Sequence, residues 1–457
     1  MAKQNPTNPA YPIWFSGKTI YEEAFCEDFL SVFPMKVVNG SFFTINGRLH
    51  NEALLEKSIY DSIAPYLLTN IAKKTRSLLE TLRLRCAVDD LPKHTDRIHV
   101  ANGTFFIPAP GHELFRPEKE ICRNRLPVCY NPEAPEPVVW KKFLSDLLNE
   151  EDIPTLQEFM GYCLLPTTKA QKMLLIIGKG GEGKSRIGVV LRHLLGTNMN
   201  IGSISKLENN RFARADLEYR LLLLDDDMPM EALTSTNTLK SIVTAETDMD
   251  MEKKGKQSYQ GTVYARLMGF GNGSLHALYD RSNGFFRRQI ILKTKEIEPG
   301  RENDPFLAEK MKAEIEGIFL WCLDGLRRLM SRRYHFTISA AASRNLAESM
   351  REGNNLFDFL AAEGYVRLNP EGSAPSRELY GVYKGWCEDN LVTPMSAKSF
   401  LGCLKEEQKT LGSPTTTTYR WQTGDAREGS TASSARVWDD MKRTESPPEI
   451  NTIKEKV

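Results

Sequence analysis

Met173 to Ser185 reads MLLIIGKGGEGKS, and the change of character within it decides the fold. Met173 to Ile177 is an unbroken apolar run with the length and composition of a buried strand. The residues that follow match G-x-x-x-x-G-K-[ST], with Gly178, Gly183, Lys184 and Ser185 in register. Beyond them Ile187, Val190, Leu191 and Leu194 recur at helical spacing. Strand, glycine-rich loop and helix therefore come in the order of a phosphate-binding loop. The chemistry accounts for the composition. Backbone N–H groups across Gly178, Lys179, Gly180, Gly181, Glu182 and Gly183 close around phosphate only where Cβ atoms are scarce. The Lys184 ammonium reaches the β- and γ-phosphate oxygens, and the Ser185 hydroxyl is a Mg²⁺ ligand. ATP and Mg²⁺ are the expected cofactors.

A second motif lies a short way downstream. Leu221 to Leu224 is apolar and ends in Asp225, Asp226 and Asp227, a Walker B pattern in which a buried strand delivers carboxylates at its C-terminal end. The separation from Lys184 to Asp225 is 225 − 184 = 41 positions, so the core is compact. Only aspartates are offered where many such ATPases end the pair with glutamate, so the division of labour between Asp225 and Asp226 stays open. Asp225 for the metal and Asp226 for the water is the preferred allocation.

The 457 residues carry 60 Lys+Arg against 59 Asp+Glu, so any nucleic-acid contact has to be local rather than a property of the whole surface. Cys26, Cys86, Cys122, Cys129, Cys163, Cys322, Cys387 and Cys403 are scattered without a C-x-x-C pair, which predicts neither a disulfide framework nor a zinc site and fits a reducing cytoplasm. Cys122 and Cys129 near His94 and His99 have irregular spacing and read as ordinary buried cysteines. No cationic apolar leader and no membrane-length apolar run is present, so a soluble cytoplasmic protein with no membrane partner is expected.

Along the chain, Ile13 to Leu30 has helical spacing, and Met35 to Leu49 predicts a small meander turning at Asn39-Gly40 and Asn46-Gly47. Asn51 to Arg85 predicts one or two basic amphipathic helices, and Arg97 to Pro108 returns to strand around Asn102-Gly103. Gly196 suits a helix C-cap, Asn200 to Ser203 a short strand, Ala232 to Glu246 a helix, and Thr262 to Gly271 a strand ending at Asn272. Lys253, Lys254 and Lys256 cluster around Gly255. Leu379, Tyr383 and Trp386 share a helix face, and Ser396 caps a second helix carrying Phe400 and Leu404 inward, with Lys398 and Lys405 outward.

A resemblance joins these parts. Ala101-Asn102-Gly103, Arg125-Leu126-Pro127 to Tyr130-Asn131-Pro132, Leu156-Gln157-Glu158 and Gly161-Tyr162 are similar to the region preceding the ATPase in poxvirus and phage/plasmid primase-helicases, which are superfamily III helicases of the AAA+ class. The resemblance runs from about Ile98 onward. It implies an α/β fold: a P-loop AAA+ core with a parallel central sheet at 166–330, preceded by a helical collar at 98–165 that holds a ring together, while residues 1–97 read by their own spacing as an N-terminal α+β region. A helical connector at 331–372, a C-terminal winged-helix domain at 373–440 with a wing across Thr415 to Trp421 and Ser434 to Trp438, and a disordered tail at 441–457 complete it. By the same resemblance, Lys253, Lys254 and Lys256 belong to a hairpin that grips DNA in a central pore. Asn272 is the sensor for the γ-phosphate or lytic water, and Arg288, with Arg287 as runner-up, is the arginine finger on a neighbouring subunit's ATP. Larger family members carry a primase domain upstream, and the stretch before Ile98 is too short for one. The implied function is an ATP-dependent, hexameric DNA helicase of phage, plasmid or integrated-element replication, acting on single-stranded and duplex DNA with a possible primase or origin-binding partner. The rival expectations are a P-loop ATPase that loads or remodels a replication protein, and an origin-binding protein switched by ATP.

Overall fold

The computed structural model describes residues 11–107, 113–228, 233, 235–255, 257–273, 283–297, 304–352, 355–366 and 375–410. The chain divides into two units. The first comprises Met1–Pro229, Asn237–Gly273 and Ile290–Ala342, and the second Met230–Thr236, Ser274–Gln289 and Ser343–Val457.

The first unit opens with the predicted meander, β1 (Met35–Val38), β2 (Ser41–Thr44) and β3 (Gly47–Arg48), all antiparallel. Asn39 and Gly40, at φ 50° and 74°, make the first turn as expected. The second turns on Ile45 and Asn46, one residue earlier than predicted, because Gly47 pairs with Thr44. Gly47 has φ 89°, and a Cβ there would lie 3.2 Å from the Arg125 amide nitrogen. Helices Glu22–Val32, Glu52–Ile63 and Ile71–Arg85 pack around Trp14, Phe25, Phe42, Ile59 and Leu78. The expected helix from Ile13 starts only at Glu22. Gly17 at φ 85° and the Ser16 hydroxyl, which accepts from the Thr19 N–H at 3.1 Å, turn the chain first and leave Phe15 bridged to Ile20. Basic residues of the third helix face acids of the other two: Lys74 meets Glu22 at 2.8 Å, Arg83 meets Glu52 at 2.7 Å and Arg85 meets Glu27 at 2.9 Å.

A second antiparallel sheet follows, β4 (Arg97–Val100), β5 (Gly103–Phe106) and β6 (Leu114–Arg116). The residues that carry the family resemblance here hold one another. Asn102 Nδ2 donates to the Tyr130 carbonyl and its Oδ1 accepts from the Tyr130 N–H, both at 2.8 Å, while Asn131 Nδ2 donates to Glu316 at 3.0 Å. Buried Arg125 donates to the Gly103 carbonyl at 2.9 Å and to Glu120 O at 3.1 Å.

The core of the unit is a five-stranded parallel sheet built from β7 (Met173–Ile177), β8 (Met199–Ile201), β9 (Leu222–Met228), β12 (Arg266–Gly271) and β13 (Gln289–Lys293), with a two-stranded hairpin of β10 (Met249–Met251) and β11 (Tyr259–Gly261) between β9 and β12 in the chain. The order across the sheet is β13-β7-β12-β9-β8. β7 is buried along its whole length, which is why its sequence is continuously apolar rather than alternating. Register pairs Met268 with Leu174, Leu222 with Arg266 and Met199 with Leu222. β9 runs on through Asp225, Asp226 and Asp227 to Met228, so the aspartates stand inside the strand rather than beyond its end. The helix expected over Ala232 to Glu246 is described as Asn237–Val243.

The hydrophobic core does not break at 97/98 or at 165/166. It runs from Val38 and Phe43 through Phe105, Trp140 and Phe159 to Leu174, Phe270 and Phe319. Helices Ile153–Tyr162 and Ile315–Ser331 close on each other through glycines. A Cβ on Gly161 would lie 2.3 Å from the Cys322 carbonyl oxygen, and one on Gly325 2.4 Å from the Gln157 oxygen. Across the same contact buried Glu158 accepts from Arg328 Nε at 2.6 Å and from the Thr337 N–H at 2.7 Å.

In the second unit, helices Asn355–Ala361, Ser376–Asp389 and Ala397–Thr410 enclose Phe359, Leu379, Tyr383, Trp386, Phe400 and Leu404. Tyr383 stacks on Phe400 at 4.6 Å between centroids and donates to Asn355 Oδ1 at 2.7 Å. Ser396 caps its helix as expected, its hydroxyl accepting from the Ser399 N–H at 3.2 Å. The wing strands expected at 415–421 and 434–438 and the tail at 441–457 lie outside the described residues.

The glycine contacts give a stability prediction. Alanine raises helix propensity by roughly 1 kcal/mol over glycine, yet Gly161→Ala and Gly325→Ala each force a methyl into rigid backbone. Each variant should be about 1–3 kcal/mol less stable in urea unfolding, the overpacking cost exceeding the propensity gain.

Candidate nucleotide site

The C-terminal ends of β7, β9 and β12 define the site, at the edge where a parallel sheet presents its loops and where chain order switches across β7. Leaving β7, the Gly178 N–H donates to the Gly271 carbonyl of β12 at 3.0 Å. A side chain at Gly178 would have to displace two others, since a Cβ would lie 2.3 Å from Thr294 Oγ1 and 2.6 Å from Glu182 Oε1. Gly180, Gly181 and Gly183 follow at φ 105°, 86° and 103°, conformations that other residues rarely adopt. The loop ends at Lys184, and helix Ser185–Leu195 begins with Ile187, Val190, Leu191 and Leu194 buried as the sequence predicts, up to a Gly196 cap at φ 57°.

Lys184 is 8% exposed, and its Nζ donates to Glu182 Oε2 at 2.9 Å. Glu182, 3% exposed, turns its other oxygen to the Gly180 N–H at 2.9 Å. Burial raises the Glu182 pKa, but the hydrogen bonds from Lys184 and the loop N–H groups outweigh it and hold the carboxyl below its usual range. Lys179 forms an exposed ion pair with Glu296.

Alternation along β9 sends its aspartates to opposite faces. Leu224 and Asp226 face the P-loop helix, where a Cβ on Gly188 would be 2.7 Å from Leu224 and 3.9 Å from Asp226 Oδ1. Asp226 and Ser185 line one hollow of about 330 Å³, together with Arg192, His193 and Lys312. Asp225 is buried and accepts from the Ile204 N–H at 2.7 Å, and burial pushes its pKa up. Asn272, the first residue after β12, is exposed, with Oδ1 3.9 Å from the Cβ position of Gly180. The structure thus brings Lys184, Ser185, Asp226 and Asn272 to one edge and turns Asp225 away from it.

These residues fit a magnesium-bound nucleoside triphosphate. Three left-handed glycines keep Cβ atoms out of the loop, one ammonium stands at its end on Glu182, and a hydroxyl and an exposed carboxylate line one hollow.

The β10–β11 hairpin forms as expected, paired from Met249 with Gly261 to Met251 with Tyr259. Its lysines are not equivalent. Lys253 is tied to buried Glu218 at 2.9 Å, which also accepts from the Tyr259 hydroxyl at 3.1 Å, whereas Lys254 is exposed beside Gly255 at φ 76°. Lys256 and the side chain of Lys405 lie outside the described residues, and Lys398 is exposed on its helix. Arg287, exposed, and Arg288, half-buried with its guanidinium on the Gly284 carbonyl, belong to the second unit.

Sequence reasoning missed Thr294 and Glu218. Thr294 is a polar residue just past the last core strand, the one signal that pointed to it. Glu218 carries no local signal, because its role depends on a partner 35 positions away. His94 and His99 do come together, with Nδ1 and Nε2 3.2 Å apart, but with Glu120 rather than any cysteine. Burial and the charge of Arg125 bring the His99 pKa down to about 3, so at neutral pH the ring is uncharged.

A family model described as a family of unknown function (DUF5906) matches residues 176–288, which takes in the P-loop, the aspartates, Asn272 and both arginines. Among solved structures, the chain is similar to three apo structures of the NrS-1 C-terminal region. The A form shares 12% identity over 84% of this chain and 86% of that one, with a TM-score of 0.48. The A form of residues 305–718 shares 13% over 80% and 82%, with 0.47, and a further apo structure of 305–718 shares 12% over 84% and 85%, with 0.49. Among the described residues no helix is long and apolar enough to cross a membrane.

The two aspartates are separable by stability. Asp225→Ala strands the buried Ile204 N–H and should cost about 1–3 kcal/mol in chemical denaturation. Asp226→Ala, at an exposed position, should stay within about 0.5 kcal/mol of the parent.

Proposed function

We propose that this protein hydrolyses ATP and works as a ring-forming DNA helicase of the superfamily III, AAA+ type, in the replication of a phage, plasmid or integrated element. One observation carries the reading: Lys184 with Ser185, Asp226 and Asn272 leave three different strand ends, those of β7, β9 and β12, and converge on one edge of the sheet. Supporting it are the order of motifs along the chain and the exposed lysine at the β10–β11 turn.

Bound Mg·ATP supplies a phosphoanhydride whose γ-phosphoryl is transferred to water, with charge spread over the phosphate oxygens. Lys184 and the loop N–H groups neutralise that charge. Ser185 and Asp226 take the cation side, where the sequence reading preferred Asp225 for the metal and Asp226 for the water. Asp225 holds the segment entering Ile204, and the Asn272 amide orients the attacking water without repelling it. Arg288 of a neighbouring copy completes the site, with Arg287 as the alternative, and six copies make the ring. Lys254 from each copy contacts single-stranded DNA in the central pore, while Lys398 and Lys405 contact duplex.

The direct test is ATP hydrolysis and strand displacement on a forked duplex, with Lys184→Ala and Asp226→Asn abolishing both. Lys254→Ala should keep basal turnover, lose unwinding, and lower the salt slope of single-strand binding by about 0.7 per phosphate contact removed. Unchanged unwinding and slope would move the DNA contact elsewhere. Lys253→Ala should instead loosen the hairpin, read as faster amide exchange across Met249–Met251.

Removing an arginine finger costs on the order of 10³- to 10⁵-fold in turnover. Lys184→Ala and Arg288→Ala proteins should each be inactive alone and recover partial hydrolysis when mixed, because some interfaces then pair an intact Lys184 with an intact Arg288. Native mass spectrometry of differently tagged chains establishes the mixing. Mixed rings without recovery would exclude Arg288 as the finger, and Arg287→Ala is the parallel case.

A further inference from the structure

We infer that Glu182 is an intramolecular ligand of the phosphate cradle, a carboxylate that competes with nucleotide phosphate for Lys184 and the Gly180 N–H. The inference rests on the nucleotide reading above and adds a residue that sets its affinity.

Glu182 lies within the loop motif at a position where the pattern leaves the residue type open. Here the carboxylate folds back into the loop. Its two oxygens are divided between the two kinds of group that a P-loop offers to phosphate: Oε1 takes the backbone N–H of Gly180 at 2.9 Å and Oε2 takes the Lys184 ammonium at 2.9 Å. The Glu182 and Lys184 side chains are 4% and 9% exposed, so the pair is not a surface contact that exchanges freely with water. Glu182 Oε1 also stands 2.6 Å from where a Gly178 Cβ would be, so the glycine at the start of the loop makes room for this carboxylate.

The arrangement solves an electrostatic problem. Buried without a counter-ion, the Lys184 ammonium would suffer a large desolvation penalty. A phosphate group satisfies the same donors with more charge, so it can displace Glu182, but only by breaking two hydrogen bonds to an ionised acceptor. Glu182 therefore keeps the loop folded and Lys184 aimed before nucleotide arrives, at the expense of affinity. A residue that merely positioned Lys184 for phosphate would act in the opposite sense, since its loss would weaken binding.

Equilibrium binding of a fluorescent ADP analogue and of ATP to the full chain, with thermal melting alongside, distinguishes these. Glu182→Gln removes the charge at nearly constant shape and should tighten nucleotide binding on the order of 10- to 100-fold, while lowering the melting temperature without nucleotide and enlarging the rise on adding it. Glu182→Asp, whose shorter side chain cannot span Gly180 N–H and Lys184 together, should change affinity in the same direction by less and covers the case in which the glutamine variant does not fold. Wild-type protein that binds nucleotide while both variants bind equally or more weakly would overturn the competing-ligand role and leave the nucleotide site standing. If neither wild type nor variants bind ADP or ATP, the nucleotide reading itself fails.

Discussion

Gly178 is held between two strands that are far apart in sequence, and the site depends on that clamp. Its N–H is taken by Gly271 at the end of β12, and the space where a side chain would stand is filled by Thr294, just past β13, and by Glu182. β7 lies between those two strands, so the loop leaving it is fixed on both sides before any ligand is considered. The same closeness carries Asn272, the residue after Gly271, to the loop, and Gly188 lets the following helix settle onto Leu224 so that Asp226 reaches the hollow beside Ser185. Asn272 and Asp226 both stand where a glycine permits backbone or helix to approach.

The part of the chain before the P-loop is bound to this core by buried polar groups as well as by apolar contact. Asn124 donates to Asn198 at 2.9 Å and to the Tyr219 carbonyl at 2.7 Å and accepts from the Tyr264 hydroxyl at 2.6 Å, while Asn198 donates to the Arg125 and Leu195 carbonyls at 2.8 Å. Such a network is stable only when its members are satisfied, and removing one leaves several donors stranded in a medium of low dielectric. The segments that resemble a helicase collar, Asn102 with Tyr130 and Gln157-Glu158 with Arg328, likewise use their polar side chains within the chain. These bonds tie the segments from residue 98 onward to the sheet at fixed positions.

Much of the architecture was legible in advance because it is written in local signals. The apolar run of β7, the glycines of the loop, the helical spacing after Ser185, the Asn39-Gly40 turn and the Ser396 cap each follow from backbone sterics and side-chain period acting over a few residues. Expectations failed where a local turn or a distant group overrode side-chain period. The helix expected from Ile13 starts at Glu22 because Gly17 and Ser16 first make a turn, and the second hairpin turn shifts by one residue where Gly47 backs onto Arg125.

The sequence by itself determined that a glycine-rich loop follows a buried strand, that a second strand carries aspartates, and that an amide ends a third, since residue type and order express those properties. Only the tertiary structure decided where each carboxylate stands. Strand alternation turns Asp226 toward Ser185 and Asp225 toward Ile204, buried Glu218 takes Lys253 and leaves Lys254 exposed, and Glu182 folds back onto Lys184. These outcomes depend on which partner lies within about 3 Å of a charged atom, and the strength of a charge pair is set by that distance and by burial. Neither quantity exists until the strands are paired.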